Sequence, residues 1–123
     1  MGRVEQKRKD YKILDCTLRD GGYYNDWDFE KSLVKKYIHS MKEANIDMVE
    51  IGLRSFKNKD FRGPYAFSTD KFIETLNIPE EVKLAAMING STIRESGIET
   101  EKLIAKVFPN DAGKSRISLI RIA

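Results

Sequence analysis

The chain has 123 residues, 41% hydrophobic and 33% charged, with a net charge of +3; this suffices for one domain with a modest core and excludes a disordered chain. No apolar run approaches the ~20 residues of a membrane span, the polar and basic start has no apolar signal region, and interspersed acids and bases are too mild a bias for nucleic acid. A single cysteine, Cys16, excludes an internal disulfide and fits a reducing cytoplasm.

In chain order, residues 1–10 read as a flexible basic lead-in, and residues 11–123 as one domain. Residues 12–18 read as the first strand. Asp28 reads as the N-cap of a helix whose apolar positions Leu33, Val34, Tyr37, Ile38, Met41 and Ala44 recur at helical spacing, with Asn45 as its stop. Residues 48–53 form the second strand, and 54–67 a long loop with scattered cations. Its basic part, 54–62, reads equally as a clamp for an anionic substrate or as a solvated loop. Ser68 or Thr69 caps a short helix carrying Phe72, Ile73 and Leu76. The third strand is 84–88, then a polar loop over 89–98. A helix around 101–107 points Leu103, Ile104 and Val107 inward, a turn fills 109–113, and 117–122 is the fourth strand.

Apolar strands alternating with amphipathic helices at a steady period of about 35 residues indicate βαβ units and a parallel sheet. An open doubly wound sheet and a (β/α)₈ barrel both use that unit. The fourth strand has no following helix to cover it, and a parallel sheet needs both faces covered. The expected fold is therefore α/β, a parallel βα repeat forming the first half, about four strands, of a TIM barrel whose usual size is about 250 residues.

The carboxyl ends of such strands carry the chemistry. Here they hold Arg19, Asp20, Gly21, Gly22, Tyr23, Glu50, Arg54, Asn89 and Arg121. The stretch Leu18-Arg19-Asp20-Gly21-Gly22 has two readings. One is a strand followed by a solvated turn, since Asp-Gly is a turn signal. The other is a barrel strand delivering a hard oxygen ligand, Asp20, and a permanent cation, Arg19, to a site whose glycines let substrate approach the backbone. Glu50 lies inside an apolar strand, where an unpaired carboxylate is costly, and Arg19 is its nearest candidate partner.

The run from Asp15 through Thr17-Leu18-Arg19-Asp20-Gly21-Gly22, followed by Val49-Glu50-Ile51-Gly52, resembles the Asp-Arg-Glu signature of the metal-dependent TIM-barrel lyases and synthases. That superfamily includes 3-hydroxy-3-methylglutaryl-CoA lyase, isopropylmalate and homocitrate synthases, and 4-hydroxy-2-oxovalerate aldolase. The Thr-Leu-Arg-Asp-Gly form and the ending Ile120-Arg121-Ile122-Ala123 are most similar to the last of these. The resemblance implies the N-terminal part of a carbon–carbon lyase acting on a small 2-oxo acid, with Mn²⁺ or Mg²⁺ as cofactor. It makes Asp20 a metal ligand, Arg19 the stabiliser of an enolate and Glu50 the residue that holds Arg19. Arg54, Arg121 and the two glycines stand on the substrate side.

Two departures mark this chain. The aldolases carry an acid–base histidine three positions after the motif aspartate; here that position is Tyr23, a catalytic candidate that could still donate or relay a proton but whose ordinary pKa of about 10 makes it a poorer base. The family's His-x-His metal pair has no counterpart, since the one histidine, His39, falls on the helix of residues 29–44. The chain thus brings one metal ligand of three, and the isolated chain is expected to be inactive. Two readings from other classes compete. One is a half-barrel interaction module that pairs with itself or with a partner chain through its edge strands. The other is a small open-sheet binding protein in which the Arg-Asp pair only makes a turn.

Overall fold

The computed structural model describes residues 10–56, 62–111 and 113–123. Much of the basic lead-in, and Lys57 and Lys59 of the long loop, lie outside them. Four strands form one sheet: β1 (Leu14–Asp15), β2 (Met48–Leu53), β3 (Lys83–Ile88) and β4 (Ile117–Ile122). All pairings are parallel and the spatial order is β1-β2-β3-β4. A sheet that follows chain order with no reversal is the arrangement of a barrel; a doubly wound sheet reverses at a switch point. The chain is half of a βα barrel.

Strands β2, β3 and β4 form where apolar residues dominate the run. Val49, Ile51 and Leu53 of β2 and Leu84 and Ala86 of β3 belong to one buried cluster with Val34, Ile38, Ile73, Leu76, Leu103 and Val107. Those partners come from α2 (Lys31–Glu43), α3 (Asp70–Glu74) with the turn after it, and α5 (Thr100–Val107). The helical spacing of Val34 with Ile38 and of Leu103 with Val107 puts each pair on one stripe against the sheet.

The helix ends follow local chemistry. Asn45 takes the left-handed conformation (φ 57°), and the N–H groups of Asn45 and Ile46 bond back to the carbonyls of Lys42 and Met41, closing α2. Thr69 caps α3 by accepting from the Phe72 N–H at 3.1 Å. Ser68 takes no part in the cap. It is fully buried, and its hydroxyl donates to the Tyr65 carbonyl.

The main differences from the sequence expectation lie at the first strand, at the start of α2 and after β3. The first strand is only Leu14–Asp15, because the chain turns at Cys16 into a helix, α1 (Thr17–Asn25). Asp28 does not cap α2, which begins after Glu30; its backbone is held in the turn closing α1, donating to Asn25 O and accepting from Asn25 Nδ2. The loop after β3 contains a short helix, α4 (Gly90–Glu95). No helix among the described residues is long and apolar enough to cross a membrane. On β4, the fourth strand leaves Leu119, Ile120 and Ile122 exposed, Ile122 by 65%.

Candidate active site

The motif residues sit on α1, laid beside the carboxyl ends of the strands. The helix is anchored at its start by Asp15, whose carboxylate accepts from the Thr17 N–H at 3.0 Å and from the Tyr37 hydroxyl of α2. Burial pushes the Asp15 pKa up, but these bonds outweigh it and hold the carboxyl below its usual range, while Tyr37 is pushed upward by its own burial and by the carboxylate. The far end of α1 is latched by Trp27. Asp26 and Trp27 both adopt left-handed backbone (φ 57°), rare for a residue as large as tryptophan. The indole Nε1 donates to the Arg19 carbonyl at 3.0 Å and so fixes the backbone of the motif arginine.

This latch explains Gly22, one of the two glycines expected on the substrate side. A Cβ on Gly22 would lie 1.9 Å from Trp27 Cδ1, whereas one on Gly21 would sit 3.6 Å from the Phe29 ring. The open side of each faces an aromatic ring, and Gly22 is the recess into which Trp27 packs. Gly22→Ala is accordingly expected to destabilise by about 1–3 kcal/mol through overpacking. Gly21→Ala should be neutral or stabilising by up to about 1 kcal/mol, since alanine favours the helix. Trp27 is the sole tryptophan, so its emission reports the displacement; unchanged emission and midpoint in Gly22→Ala would contradict the latch.

Arg19 reaches the sheet from α1. Its Nε donates to Glu50 Oε1 at 2.8 Å and its Nη1 pairs with Asp20 Oδ1 at 2.7 Å. The expected Arg19–Glu50 pair is therefore present. Glu50 has a second partner in Arg121 of β4, with Nε to Oε2 at 2.5 Å and Nη2 to Oε1 at 2.7 Å. Glu50 is 0% exposed, Arg19 16% and Arg121 36%. A buried carboxylate facing two guanidiniums is satisfied at both oxygens. Burial pushes its pKa up, but the bonds from Arg121 and Arg19 prevail and hold it below the usual range; Arg121 in turn is held above its ordinary value by its bonds to Glu50. Cys16 Sγ and Met87 Sδ flank Arg121 Nη2 at 3.9 and 3.7 Å. Burial and the nearby Glu50 charge push the Cys16 thiol up.

Arg54 belongs elsewhere. It was grouped with the substrate-binding residues because it follows β2, but it is 2% exposed and fully engaged. Its Nε donates to Ser68 O, Nη1 to Val107 O and Nη2 to Asp70 Oδ1, at 2.7–2.8 Å, and the guanidinium stacks on Phe108. Asp70 also accepts from Asn110 and Ser115. Sequence reasoning missed this hub, as it missed Arg116, which ties the carbonyls of Ile78, Pro79 and Val82. Nothing local signals either, since their partners are distant or are backbone carbonyls.

Tyr23 lies one turn beyond Arg19 on α1, 57% exposed, its ring edge-on to Trp27 at 4.7 Å. Asp20 is 67% exposed. A divalent cation needs several convergent oxygen or nitrogen donors. Among the described residues no group of three or more His, Cys, Asp or Glu converges. Glu50 is committed to two arginines and His39 lies on α2 beside Glu43. The described residues offer one donor, Asp20, and do not by themselves form a metal centre. A cleft of about 1600 Å³ opens at the opposite, amino ends of the strands, lined by Lys12, Leu14, Met48, Lys83 and Leu119 among others.

A half barrel with a carboxylate–guanidinium cluster at its strand ends is the class of protein that fold and site define. A solved structure of "the N-terminal domain of a putative aldolase from Bacteroides vulgatus" is similar to this chain, with 36% identity over 91% of it and a TM-score of 0.73. The chain spans 35% of the length of that solved chain. No family model matches the sequence, and no curated protein does.

Proposed function

We propose that the chain forms the strand-end half of the active site of an aldolase-type carbon–carbon lyase acting on a 2-oxo acid such as 4-hydroxy-2-oxovalerate. The observation that carries this reading is the Glu50 carboxylate, fully buried and gripped by Arg19 and Arg121 at the carboxyl end of a parallel half barrel. A buried charged cluster is expensive to maintain and is weak support for stability; its placement where barrel enzymes build their sites argues for chemistry. The likeness to the solved aldolase-type N-terminal domain points the same way.

When the carbon–carbon bond of a 2-oxo acid aldol breaks, the electron pair of that bond becomes an enolate, with negative charge on the former carbonyl oxygen. Arg19 supplies a fixed positive charge for that oxygen, and Glu50 together with the Trp27 latch keeps it aimed. Tyr23, on the next turn of the same helix, is the residue we assign to pass a proton to or from the reacting hydroxyl. Asp20 provides one oxygen donor toward Mg²⁺ or Mn²⁺; the remaining donors must come from outside the described residues, and no step above depends on the ion.

Oxalate, a planar stand-in for the enolate, tests this reading in a binding titration. Saturable binding is expected to weaken about 100-fold in Arg19→Ala, the scale of losing one oxyanion donor. Absence of binding, or equal binding to wild type and Arg19→Ala, would overturn the assignment.

A second reading, a half barrel that docks a partner or a second copy, is favoured by the exposed Leu119, Ile120 and Ile122 on an edge strand. It predicts a defined oligomer in sedimentation whatever the state of Arg19.

A further inference from the structure

Between β2 and α3, Gly63 and the single 3₁₀ turn Pro64–Ala66 form a narrow strap. One edge of it is bonded to the turn that carries Trp27. The Gly63 N–H donates to Asp26 O at 2.7 Å, and the Tyr65 N–H donates to Trp27 O at 3.3 Å. The other edge lies against the end of β2. The Ser55 N–H donates to Ala66 O at 3.0 Å, and the Tyr65 carbonyl packs on Gly52. A Cβ on Gly63 would lie 2.3 Å from Trp27 O, and one on Gly52 would lie 2.1 Å from Tyr65 O. Both contacts are backbone against backbone, so the strap fills its gap without slack.

The two neighbours of the strap each govern one end of the Arg19–Glu50 pair. Trp27 Nε1 holds the Arg19 carbonyl at 3.0 Å, and Gly52 follows Glu50 by two residues. Residues two apart in a regular strand share a face. Here an extra residue, Ile51, interrupts the pairing of β2 with β3 between Glu50 and Gly52. This bulge lets Glu50 turn to the arginines while Gly52 turns to the strap. On the far side, Asp26 and Trp27 keep left-handed backbone at φ 57°. Such conformations persist only where the surroundings over-determine them, and the strap's two N–H groups bond to these very residues.

We propose that Gly63 is a positioning residue for Arg19: the strap spaces the Trp27 turn from β2 so that Arg19 Nε meets Glu50 Oε1. This rests on the reading of the Arg19–Glu50–Arg121 cluster as the reaction site and adds what sets its geometry. Arg121 reaches Glu50 from β4, across β3, by a path that does not include the strap. Gly63 itself has φ −71°, a conformation open to any residue. Alanine there brings bulk without backbone strain, so its effect reads the spacing alone.

The test reads the arginine Nε–H and Trp27 indole N–H signals by NMR, together with oxalate affinity, in wild type, Gly63→Ala, Arg62→Ala and Leu103→Ala. Gly63→Ala should move the Arg19 and Trp27 signals and leave Arg121 Nε–H, bonded to the other oxygen of Glu50, in place. It should weaken oxalate binding about tenfold or more, the scale of a misplaced catalytic group. Arg62 is exposed and stacks over the Trp27 ring at 5.5 Å, bracing the same turn. Arg62→Ala adds no bulk, keeps the fold, and should move the same two signals by less. Leu103→Ala empties a fully buried position on α5 and lowers the unfolding midpoint as core truncations do. It should leave both signals and the oxalate affinity of the folded protein at wild-type values, which separates positioning from stability. Arg19 and Trp27 signals that stay still in folded Gly63→Ala, or in Arg62→Ala if Gly63→Ala does not fold, would overturn the role of Gly63 and leave the site reading intact. So would moved signals with unchanged oxalate affinity, or equal movement in Leu103→Ala. Movement confined to the strap variants, in a protein whose wild type binds no oxalate, would uphold the spacing and overturn the reading of the cluster as a reaction site.

Discussion

Glu50→Ala is expected to destabilise the chain by about 3–5 kcal/mol, because it strands two guanidiniums around an emptied buried position. For a chain of this size that is a fall of roughly 10–20 °C in the midpoint of thermal unfolding. Glu50 is 0% exposed and, among the described residues, supplies the carboxylate contacts that Arg121 makes. The same residue sets a pH dependence. Its folded pKa lies below the ordinary value of 4.5, with the arginine bonds overcoming the upward push of burial. A carboxyl depressed in the folded state contributes stability that is fully present above its unfolded pKa. That contribution is lost as pH falls through the lower folded value. Stability should therefore decline as pH drops below about 4.5. Glu50→Gln, which keeps the shape and removes the charge, should flatten that part of the acid limb. A midpoint for Glu50→Ala within about 2 °C of wild type would show that the cluster carries no structural weight.

Arg54→Ala should cost as much, about 3–5 kcal/mol, for a different reason. It removes the donor that satisfies Ser68 O, Val107 O and one oxygen of Asp70, and unpins β2 from α3 and α5 at once. Asp70 would keep Asn110 and Ser115, so its charge is not left wholly bare. Burial pushes the Asp70 pKa up, and its three polar partners together bring it below the usual range. Affinity of the folded fraction for oxalate should be unchanged, because among the described residues Arg54 shares no hydrogen bond or ion pair with Arg19, Glu50 or Arg121. Denaturant unfolding combined with oxalate titration separates the two effects. Loss of oxalate affinity in a stably folded Arg54→Ala protein would return this arginine to the site.

The sheet was largely legible in the sequence. Strands β2 and β4 form over the residues their apolar runs mark, and β3 adds only Lys83, since continuous branched runs bounded by polar turns have few other solutions in a parallel sheet. The Arg19–Glu50 pair was legible for an energetic reason: a carboxylate between Val49 and Ile51 demands a cation. Helix α1 was not legible. Gly21-Gly22 costs a helix up to about 1 kcal/mol per glycine relative to alanine, and the local pattern reads as a strand end and turn. Tertiary packing overrides it, because Gly22 is the space Trp27 fills and the indole in turn holds the Arg19 carbonyl. Helix α4 was hidden for a related reason. Its start, Gly90, is tied to Ala123 at the end of β4, a contact 33 positions away that no local window contains. For Arg54, position at a strand end is visible in a sequence, whereas burial under Phe108 and Val107 is not.

The most direct measurement of the central claim is a map of the arginine Nε–H signals during an oxalate titration. The account predicts that Arg19 and Arg121 shift together and saturate at one concentration, while Arg54 and Arg116, locked on carbonyls and Asp70, stay fixed. Oxalate shifting Arg54 or Arg116 with Arg19 silent, or no arginine responding at all, would contradict a site built on Glu50.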